Sequence, residues 1–413
     1  MSFANVEHYR SELTPEHAEV IRATLPLVGA NIDKIAKQFY ASMFEGHPEL
    51  IRNLFNRGNQ KQGAQQRALA ASVATFATML VTPGAETPER LLGRIGHKHV
   101  SLGITRDQYQ IVHDYLFGAI VAILGADVVT APVAEAWENV YWIMANLLIK
   151  FEAELYEKAG VKPGEVFVNT QVVERKDLSG GIVEFTVESK DASKPLPAHQ
   201  PGQYISVGAK LPDGARQLRQ YSLVDAGINP GRLTIAVKSV EATKDAPAGE
   251  VSNWLINNVK KGDDLEITLP FGDLVLNEKS QRPVVLVSRG IGITPMLGIL
   301  SYLAASNSSR PTLSLHADSS AATDAFFDER TKLVLKMPSG EAKTWYSEGQ
   351  TGPNVSQGHL DLSTVQLPAD AEIYLCGGNE FLQRMRKQLK DMKVPDERVY
   401  FELFSPNDWL LDE

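Results

Sequence analysis

The segment 217–223, Gln-Leu-Arg-Gln-Tyr-Ser-Leu, combines residue types that can hold a phosphate-bearing ring cofactor. Arginine grips a phosphate through a paired, charge-assisted fork, tyrosine offers a flat amphipathic ring, and serine adds a short donor. Alternate residues of a strand point to one face, so Arg219, Tyr221 and Leu223 would line up together. The same pattern is equally compatible with an ordinary strand that carries a surface arginine. We interpret it as a flavin cradle with four contacts: Arg219, Gln220, Tyr221 and Ser222.

Three other segments lie around this cradle and give it a context. Pro-Gly-Gln-Tyr at 201–204 precedes it, while Gly-Glu-Val-Ser-Asn-Trp-Leu at 249–255 and Gly-Ile-Gly-Ile-Thr-Pro-Met at 290–296 follow. In this order and spacing the segments resemble the flavin and nicotinamide halves of the ferredoxin-reductase-like family. The resemblance implies further flavin contacts from Tyr204, Val251 and Ser252. A short helix at 254–257, opened by 250–253, would offer N-terminal amides to a pyrophosphate, which favours FAD over FMN.

The last third of the chain has the pattern of a nicotinamide-nucleotide site. A buried-strand run at 283–288 leads into a Gly-Ile-Gly turn and then an apolar helix. Glycines in such a turn let the backbone approach a pyrophosphate. Asp318, just past a predicted strand, would repel a 2′-phosphate, which favours NADH and leaves NADPH as the alternative. The predicted nucleotide contacts are Gly290, Ile291, Gly292, Ile293, Thr294 and Pro295.

The first third is predicted to be helical. Threonine at 14 and proline at 15 are typical of a helix start, and from there to about Gly160 apolar residues recur at helical spacing. One apolar stripe runs from Leu25 to Met43, and Tyr40 falls on its face. Gln65 lies one turn before Leu69 on another stripe. Any helical bundle would satisfy the stripes alone.

The polar and aromatic residues among these stripes carry a closer resemblance. The segments 39–44, 47–50, 55–56, 59–60, 63–65, 98–99, 108–112 and 152–156 resemble the globin domain of flavohemoglobins. A globin haem, here haem b, needs one imidazole ligand and an open opposite face. His97 and His99 are two residues apart, so they point to different sides of a helix and only one can ligate. The resemblance selects His99 as the iron ligand.

The same resemblance implies roles around the iron. Tyr109 and Glu152 would form a hydrogen-bonded relay behind His99 that makes the ligand more electron-donating. Tyr40 would donate to the gas ligand with Gln65 as a second donor, while Phe55 and Leu69 would keep the pocket dry. Lys98 would pair with a haem propionate, although a solvent-exposed lysine is an equal alternative. The implied catalytic residues are Tyr40, Gln65, Tyr109 and Glu152.

Near the C-terminus the chain keeps part of the flavohemoglobin pattern and departs from it elsewhere. Phe404 would stack on the isoalloxazine and move aside for nicotinamide. Arg289 stands where a small residue is expected, Gly378 replaces a proline, and Ser405 replaces a glycine, which puts the freedom of that hinge in doubt. The implied cofactor contacts in this segment are Glu402, Leu403, Phe404, Ser405 and Pro406.

Composition excludes several other classes of protein. The 413 residues are 43% hydrophobic and 22% charged with a net charge of −9, and no Lys/Arg run offers a nucleic-acid footprint. Cys376 is the one cysteine in the sequence, so no intrachain disulfide forms, and a reducing compartment fits. Two apolar runs, 118–126 and 141–149, are about half the length that spans a bilayer. We expect a cytoplasmic protein without membrane insertion.

We therefore predict a multidomain chain. Residues 1–160 form an all-α globin, 161–278 an antiparallel β-barrel that binds FAD, and 279–413 an α/β nicotinamide domain with a parallel sheet. The flavohemoglobin resemblance implies a nitric oxide dioxygenase in which NADH reduces FAD, FAD reduces haem, and nitric oxide and O2 become nitrate. Its partners would be NADH and these gases, with no obligate protein partner. A haem-based O2 or redox sensor and a plain NADH:flavin reductase are the alternatives, the sensor being disfavoured by the Tyr109 and Glu152 pair and by the absence of a signalling module.

Overall fold

The computed structural model of the chain describes residues 12–58, 64–82, 89–228, 230–244, 247–349 and 351–404. Its described residues fall into two compact units. Of the described residues, the first unit contains those up to Val166 together with Pro212–Leu218, and the second contains Phe167–Leu211 and those from Arg219 to Phe404. The finer division at 160 and 278 remains a prediction.

Helices build the first unit. Their bounds are α1 Pro15–Ala30, α2 Ile32–Gly46, α3 Pro48–Asn53, α4 Ala64–Val81, α5 Glu89–Ser101, α6 Arg106–Leu124 and α7 Ala131–Lys158. The predicted start of α1 is confirmed, because the Thr14 hydroxyl accepts a hydrogen bond from the His17 amide at 3.2 Å. The stripe from Leu25 to Met43 is divided, since Asn31 leaves helical geometry (φ −112°, ψ 10°) between α1 and α2. Both parts still pack into one apolar core.

The second unit begins with an antiparallel sheet. Its strands are β1 Phe167–Leu178, β2 Ile182–Ser189, β3 Tyr204–Lys210, β4 Arg216–Ser222, β5 Arg232–Lys238 and β6 Asp264–Thr268, in the order β4-β3-β6-β1-β2-β5. Leu223 pairs with Ile235 in an antiparallel bridge, which joins the two ends of the sheet into the predicted barrel. The predicted helix at 254–257 was too short, because α8 runs from Glu250 to Asn258.

A parallel sheet completes the second unit. Its strands are β7 Val284–Arg289, β8 Thr312–Asp318, β9 Gly340–Tyr346, β10 Val355–Gln357, β11 Glu372–Gly377 and β12 Val399–Leu403, with helices α9 Ile293–Ala305, α10 Phe327–Leu335 and α11 Asn379–Asp391. The order β10-β9-β8-β7-β11-β12 reverses at β7, and ligands of such sheets bind at the carboxyl ends of the strands beside that reversal. Among the described residues no helix is both long enough and apolar enough to cross a bilayer.

Candidate functional site

His99, Tyr109 and Glu152 come from three helices and form one hydrogen-bonded triad. The Nδ1 atom of His99 lies 2.8 Å from Glu152 Oε1 and 3.0 Å from the Tyr109 hydroxyl oxygen. The Tyr109 hydroxyl donates to the same Glu152 oxygen at 2.5 Å. Glu152 is 3% exposed, so this carboxyl group depends on protein donors rather than water. The structure therefore brings together the three residues predicted for the proximal side.

The hydrogen-bond directions fix the histidine tautomer. The Tyr109 hydroxyl has one proton, which it gives to Glu152, and its burial followed by the Glu152 charge raises the pKa of Tyr109. The proton on His99 must then lie on Nδ1, where both contacts accept it. Nε2 keeps its lone pair, and it makes no hydrogen bond to any described residue. This is the form of histidine that ligates a haem iron.

Gly96 explains why α5 and α7 come close enough to build the triad. A Cβ atom at this position would lie 2.5 Å from the ring atom Cδ1 of Phe151, the residue before Glu152. Gly96 is one turn before His99 on α5, so the bare backbone there lets α7 approach. Sequence reasoning missed this residue, although a glycine in the interior of a predicted helix is a signal of close packing.

Tyr40 lies in an aromatic cluster on the first unit. It is 3% exposed, and its ring centroid is 5.5 Å from that of Phe44 and 5.8 Å from that of Phe55. Leu69 is half-buried against the same core. Lys98, beside His99, is also half-buried. The side chain of Gln65 lies outside the described residues, so its predicted role is not located.

The predicted flavin residues lie on and beside β4 of the barrel. Arg219, Gln220 and Tyr221 are half-buried, and Ser222 is buried. Burial raises the pKa of Tyr221, and the neighbouring Arg219 charge partly opposes that rise, so the tyrosine stays protonated. The Gln220 amide donates to the Ser206 hydroxyl at 3.2 Å, which leaves it facing β3. Tyr204 exchanges backbone hydrogen bonds of 2.8 and 2.9 Å with Phe271 at the start of β3.

The N-terminus of α8 is held by Asn253. Its side-chain amide accepts from the Val240 amide at 3.0 Å and donates to the Val240 carbonyl at 2.9 Å. Gly249 caps the helix, and its own amide also bonds to the Val240 carbonyl. Val251 is buried beneath the first turn and Ser252 is half-buried. The first amides of α8 are therefore fixed in position, as binding of a pyrophosphate requires. Asn253 is a second residue to which sequence reasoning gave no role of its own.

The turn after β7 is built by two glycines with different requirements. Gly290 adopts φ +55°, which favours glycine, whereas a Cβ atom on Gly292 would lie 2.4 Å from the Cys376 carbonyl oxygen. The Thr294 hydroxyl is occupied with the Ile291 carbonyl at 2.9 Å. The side chains of Ile293, Thr294 and Pro295 are buried, so only their backbone atoms could face a nucleotide. Arg289 is exposed at the end of β7 and lies next to this turn.

The C-terminal segment is described as far as Phe404. Glu402 is buried on β12 and pairs in register with Cys376 on β11, while Leu403 is half-buried. Burial, followed by the Glu402 charge, raises the pKa of the Cys376 thiol, which is therefore not a ready nucleophile. Phe404 is 48% exposed. An exposed ring has room for the movement that was predicted for nicotinamide binding. Ser405 and Pro406 lie outside the described residues.

Gly378 adopts the backbone angle that the proline usually found at this position would impose. Its φ of −69° matches the angle that proline imposes, and it caps α11 with nothing near its absent Cβ. The local geometry after Cys376 and Gly377 is therefore compatible with either residue.

The residues described above fit both predicted cofactors, haem and FAD. The open Nε2 of His99 beside an apolar and aromatic core fits a haem, and the Arg219 strand with the fixed amides of α8 fits a flavin dinucleotide. Among the described residues no group of three or more His, Cys, Asp or Glu could hold a bare metal ion.

Comparison with known proteins agrees with this geometry. Residues 169–275 match the family model described as an oxidoreductase FAD-binding domain. A flavohemoprotein of Deinococcus radiodurans is 39% identical over 406 residues, which cover 96% of this chain and 98% of that protein. One of Halalkalibacterium halodurans is 34% identical, covering 95% and 97% of the two chains.

Two solved structures are also similar. A flavohemoglobin of Malassezia yamatoensis with bound FAD and heme is 33% identical with a TM-score of 0.86, covering 95% of this chain and 100% of that one. The flavohem-like FAD/NAD binding domain of a nitric oxide dioxygenase from Vibrio cholerae is 34% identical with a TM-score of 0.53, covering 59% of this chain and all of that domain.

Proposed function

Because this chain belongs to the flavohemoprotein family, we propose that it is an NAD(P)H-dependent nitric oxide dioxygenase that binds haem and FAD and converts nitric oxide and O2 to nitrate. The observation that carries this proposal is the triad of His99, Tyr109 and Glu152. A carboxylate behind the ligand increases its electron donation, which O2 activation needs and simple storage does not. The buried single cysteine and the small soluble reactants are consistent with a cytoplasmic site of action.

The proximal residues have separate tasks in this proposal. His99 would hold the haem iron through Nε2, and Glu152 accepts the hydrogen bond from the Nδ1 atom of the same ring. Tyr109 shares the carboxylate and, being buried and protonated, keeps it oriented. The flavin, when bound, accepts the electron pair of a hydride and passes single electrons to the haem iron, which is the chemistry the two cofactors supply.

On the opposite side of the haem, the Tyr40 hydroxyl is proposed to donate a hydrogen bond to the diatomic ligand. A hydrogen bond to an acceptor that carries charge contributes about 1.5–3 kcal/mol. The Tyr40 side chain is buried beside the rings of Phe44 and Phe55, and Leu69 packs against the same apolar core. Water exclusion strengthens the bond because few competing donors remain.

The flavin is proposed to bind through Arg219 on its phosphate, with Tyr204, Tyr221 and Ser222 beside the ring system. Val251 and Ser252 at the start of α8 would take the pyrophosphate through backbone amides. Phe404, which is exposed, would cover the isoalloxazine until nicotinamide replaces it.

The nicotinamide dinucleotide is proposed to bind along the turn from Gly290 to Gly292. Glu402 would then lie close to the place where hydride passes from nicotinamide to the flavin. We propose NADH rather than NADPH, because Asp318 stands at the carboxyl end of β8 as an ionised group. Its Oδ1 accepts from the Ser319 amide and the Thr323 hydroxyl, both at 2.6 Å. A 2′-phosphate there would meet a fixed negative charge. Asp318→Ser is expected to lower the ratio of kcat/KM for NADH to that for NADPH.

A nitrate assay tests the proposed activity. The purified holoenzyme, given NADH, air and nitric oxide, is expected to form one nitrate for each nitric oxide consumed, because nitrate is the nitrogen product. It should oxidise one NADH for every two nitrates, since each nitrate requires one electron. Tyr40→Phe is expected to lose most nitrate formation while NADH still reduces the flavin. His99→Ala is expected to lose the haem spectrum. Unchanged turnover in Tyr40→Phe would remove Tyr40 from the reaction, and absence of nitrate in the wild type would overturn the proposed activity.

A further inference from the structure

Gln217 is the first residue of the flavin-cradle segment, but it has no predicted contact with the flavin. Its side chain is nevertheless fully buried. The two-unit division places Pro212–Leu218 in the first unit, with the helices. Gln217 lies there against the end of α3 and the residues that follow it. Its carboxamide is both a donor and an acceptor, so it can satisfy backbone groups of both kinds.

Gln217 makes four hydrogen bonds to one short stretch of backbone. Its Nε2 donates to the carbonyl oxygens of Ile51 at 3.1 Å, Arg52 at 3.0 Å and Phe55 at 3.2 Å. Its Oε1 accepts from the Arg57 amide at 3.3 Å. Two amide protons serve three carbonyls, so one proton is shared. The side chain thus caps the Ile51 and Arg52 carbonyls at the C-terminal end of α3 and fixes the chain through residue 57.

A second contact at the same place lies at the surface. The Arg57 guanidinium pairs with the Asp213 carboxylate at 2.6 Å, and Arg52 donates to the Asp213 carbonyl at 3.3 Å. Asp213 is 54% exposed, so solvent screens this ion pair. The buried amide of Gln217, rather than the ion pair, is therefore the main restraint on the segment.

The restrained segment forms part of the wall around Tyr40. Phe55 lies 5.8 Å from Tyr40 and 5.3 Å from Phe44, measured between ring centroids. Because the two rings are in contact, the position of the Phe55 backbone limits the positions that the Tyr40 ring can adopt. We propose that Gln217 is a positioning residue for the distal side of the haem pocket, acting through Phe55 on Tyr40. This inference rests on the proposed distal role of Tyr40.

Gln217→Met in the full-length holoenzyme tests the inference, because methionine keeps the length of the side chain and removes all four bonds. Two readouts apply: the dissociation rate of carbon monoxide from ferrous haem, and the C–O stretching frequency of that complex. We expect the rate to rise roughly three- to tenfold and the frequency to shift, because Tyr40 no longer holds one position. Hydrogen exchange of residues 51–57 is expected to speed up.

Asp213→Asn is the matched control. It removes the surface ion pair to Arg57 and leaves Gln217 in place, so ligand dissociation is expected to stay at the wild-type value.

Phe55→Leu, combined with Gln217→Met, tests whether Gln217 acts on Tyr40 through the Phe55 ring. If Gln217 acts through Phe55, the double variant should match Phe55→Leu alone. Additive effects would mean that Gln217 does not act through that ring.

Tyr40→Phe in the same assay separates the two hypotheses. A change in Tyr40→Phe with no change in Gln217→Met, in protein of normal haem content, would overturn the role of Gln217 alone. No change in Tyr40→Phe would instead overturn the distal role of Tyr40. Should Gln217→Met fail to retain haem, Gln217→Glu provides the same comparison, because it keeps the acceptor for Arg57 and loses the three donated bonds.

Discussion

Gly96 packs directly beneath the ring of Phe151, at a distance that no side chain could occupy. A Cβ atom there would lie 2.5 Å from Phe151 Cδ1 and 2.8 Å from Cε1. Because Glu152 is the next residue, the separation of α5 and α7 at this point also sets the distance from Glu152 to His99. The absence of a side chain at Gly96 thus contributes to the geometry of the triad.

Gly96→Ala is therefore expected to push α7 away from α5. Overpacking of this kind costs about 1–3 kcal/mol of unfolding free energy, and the triad should loosen with it. Thermal unfolding and the Fe–His stretching frequency of the ferrous holoenzyme measure the two effects. Gly93→Ala is the control on the same helix, where nothing lies near the added Cβ, and it should stabilise by up to about 1 kcal/mol. Equal effects of both substitutions would contradict this account of Gly96.

Glu152→Gln should weaken the proximal ligand without removing it. The amide can still contact His99, but it no longer carries the negative charge that draws the Nδ1 proton. Outer-shell substitutions of this kind typically cost about 10- to 100-fold in activity or metal affinity. We expect nitrate turnover to fall within that range, the Fe–His stretching frequency to drop and the haem reduction potential to rise. A variant with wild-type potential and turnover would show that the carboxylate is only structural.

Arg219→Gln is expected to weaken FAD binding about 10- to 100-fold, which corresponds to the loss of one hydrogen bond to a charged group. Equilibrium titration of the flavin-depleted protein with FAD measures the affinity, while the haem spectrum reports that the first unit remains folded. Arg232→Gln is the matched control, since Arg232 belongs to the same barrel but pairs with Glu188 at the surface. Similar losses in both variants would point to a general charge effect rather than a phosphate contact.

Asp318 is expected to give the second unit a pH-dependent stability. Burial would raise its pKa, but His316, the Thr323 hydroxyl and the Ser319 amide outweigh burial and lower the pKa to about 2. The unfolded chain, near pKa 3.8, binds the proton more tightly, so the stabilisation is complete above about pH 4 and disappears as pH falls towards 2.

The corresponding variant is Asp318→Asn. It should lose about 2 kcal/mol at pH 7, and its deficit relative to wild type should shrink as the pH falls to 3. Calorimetric thermal unfolding across that range gives the comparison. Asp391→Asn, which affects an exposed residue paired with Lys387, is the control for loss of a surface carboxylate. A deficit that does not depend on pH would rule out the lowered pKa as its source.

Sequence patterns predicted most of the fold, because each element carries a local signal. The alternation of Arg219, Tyr221 and Leu223, the strand and glycine turn before α9, and the cap at Thr14 all lie within short windows. Strands β9 and β10 were not predicted, since Gly340–Tyr346 includes charged residues in its first half and only its last three residues are buried. The break at Asn31 also escaped prediction, because the apolar stripe continues across it.

The site was predicted less evenly. Family resemblance selected His99, Tyr109 and Glu152, which lie within hydrogen-bond distance of one another. Resemblance could not supply Gly96 or Gln217, whose contributions depend on residues about 55 and 160 positions away in the chain. Such contacts follow from packing rather than from spacing, so no local pattern reveals them.

The proposed transfer of electrons from NADH through the flavin to the haem is tested by anaerobic addition of NADH to the purified holoenzyme, followed by nitric oxide in air. Flavin and haem absorbance are followed in time, and nitrate is assayed at the end. We expect the flavin band to bleach first, the haem to be reduced next, and nitrate to form in proportion to the nitric oxide added. Flavin bleaching without haem reduction, or haem reduction without nitrate, would contradict it.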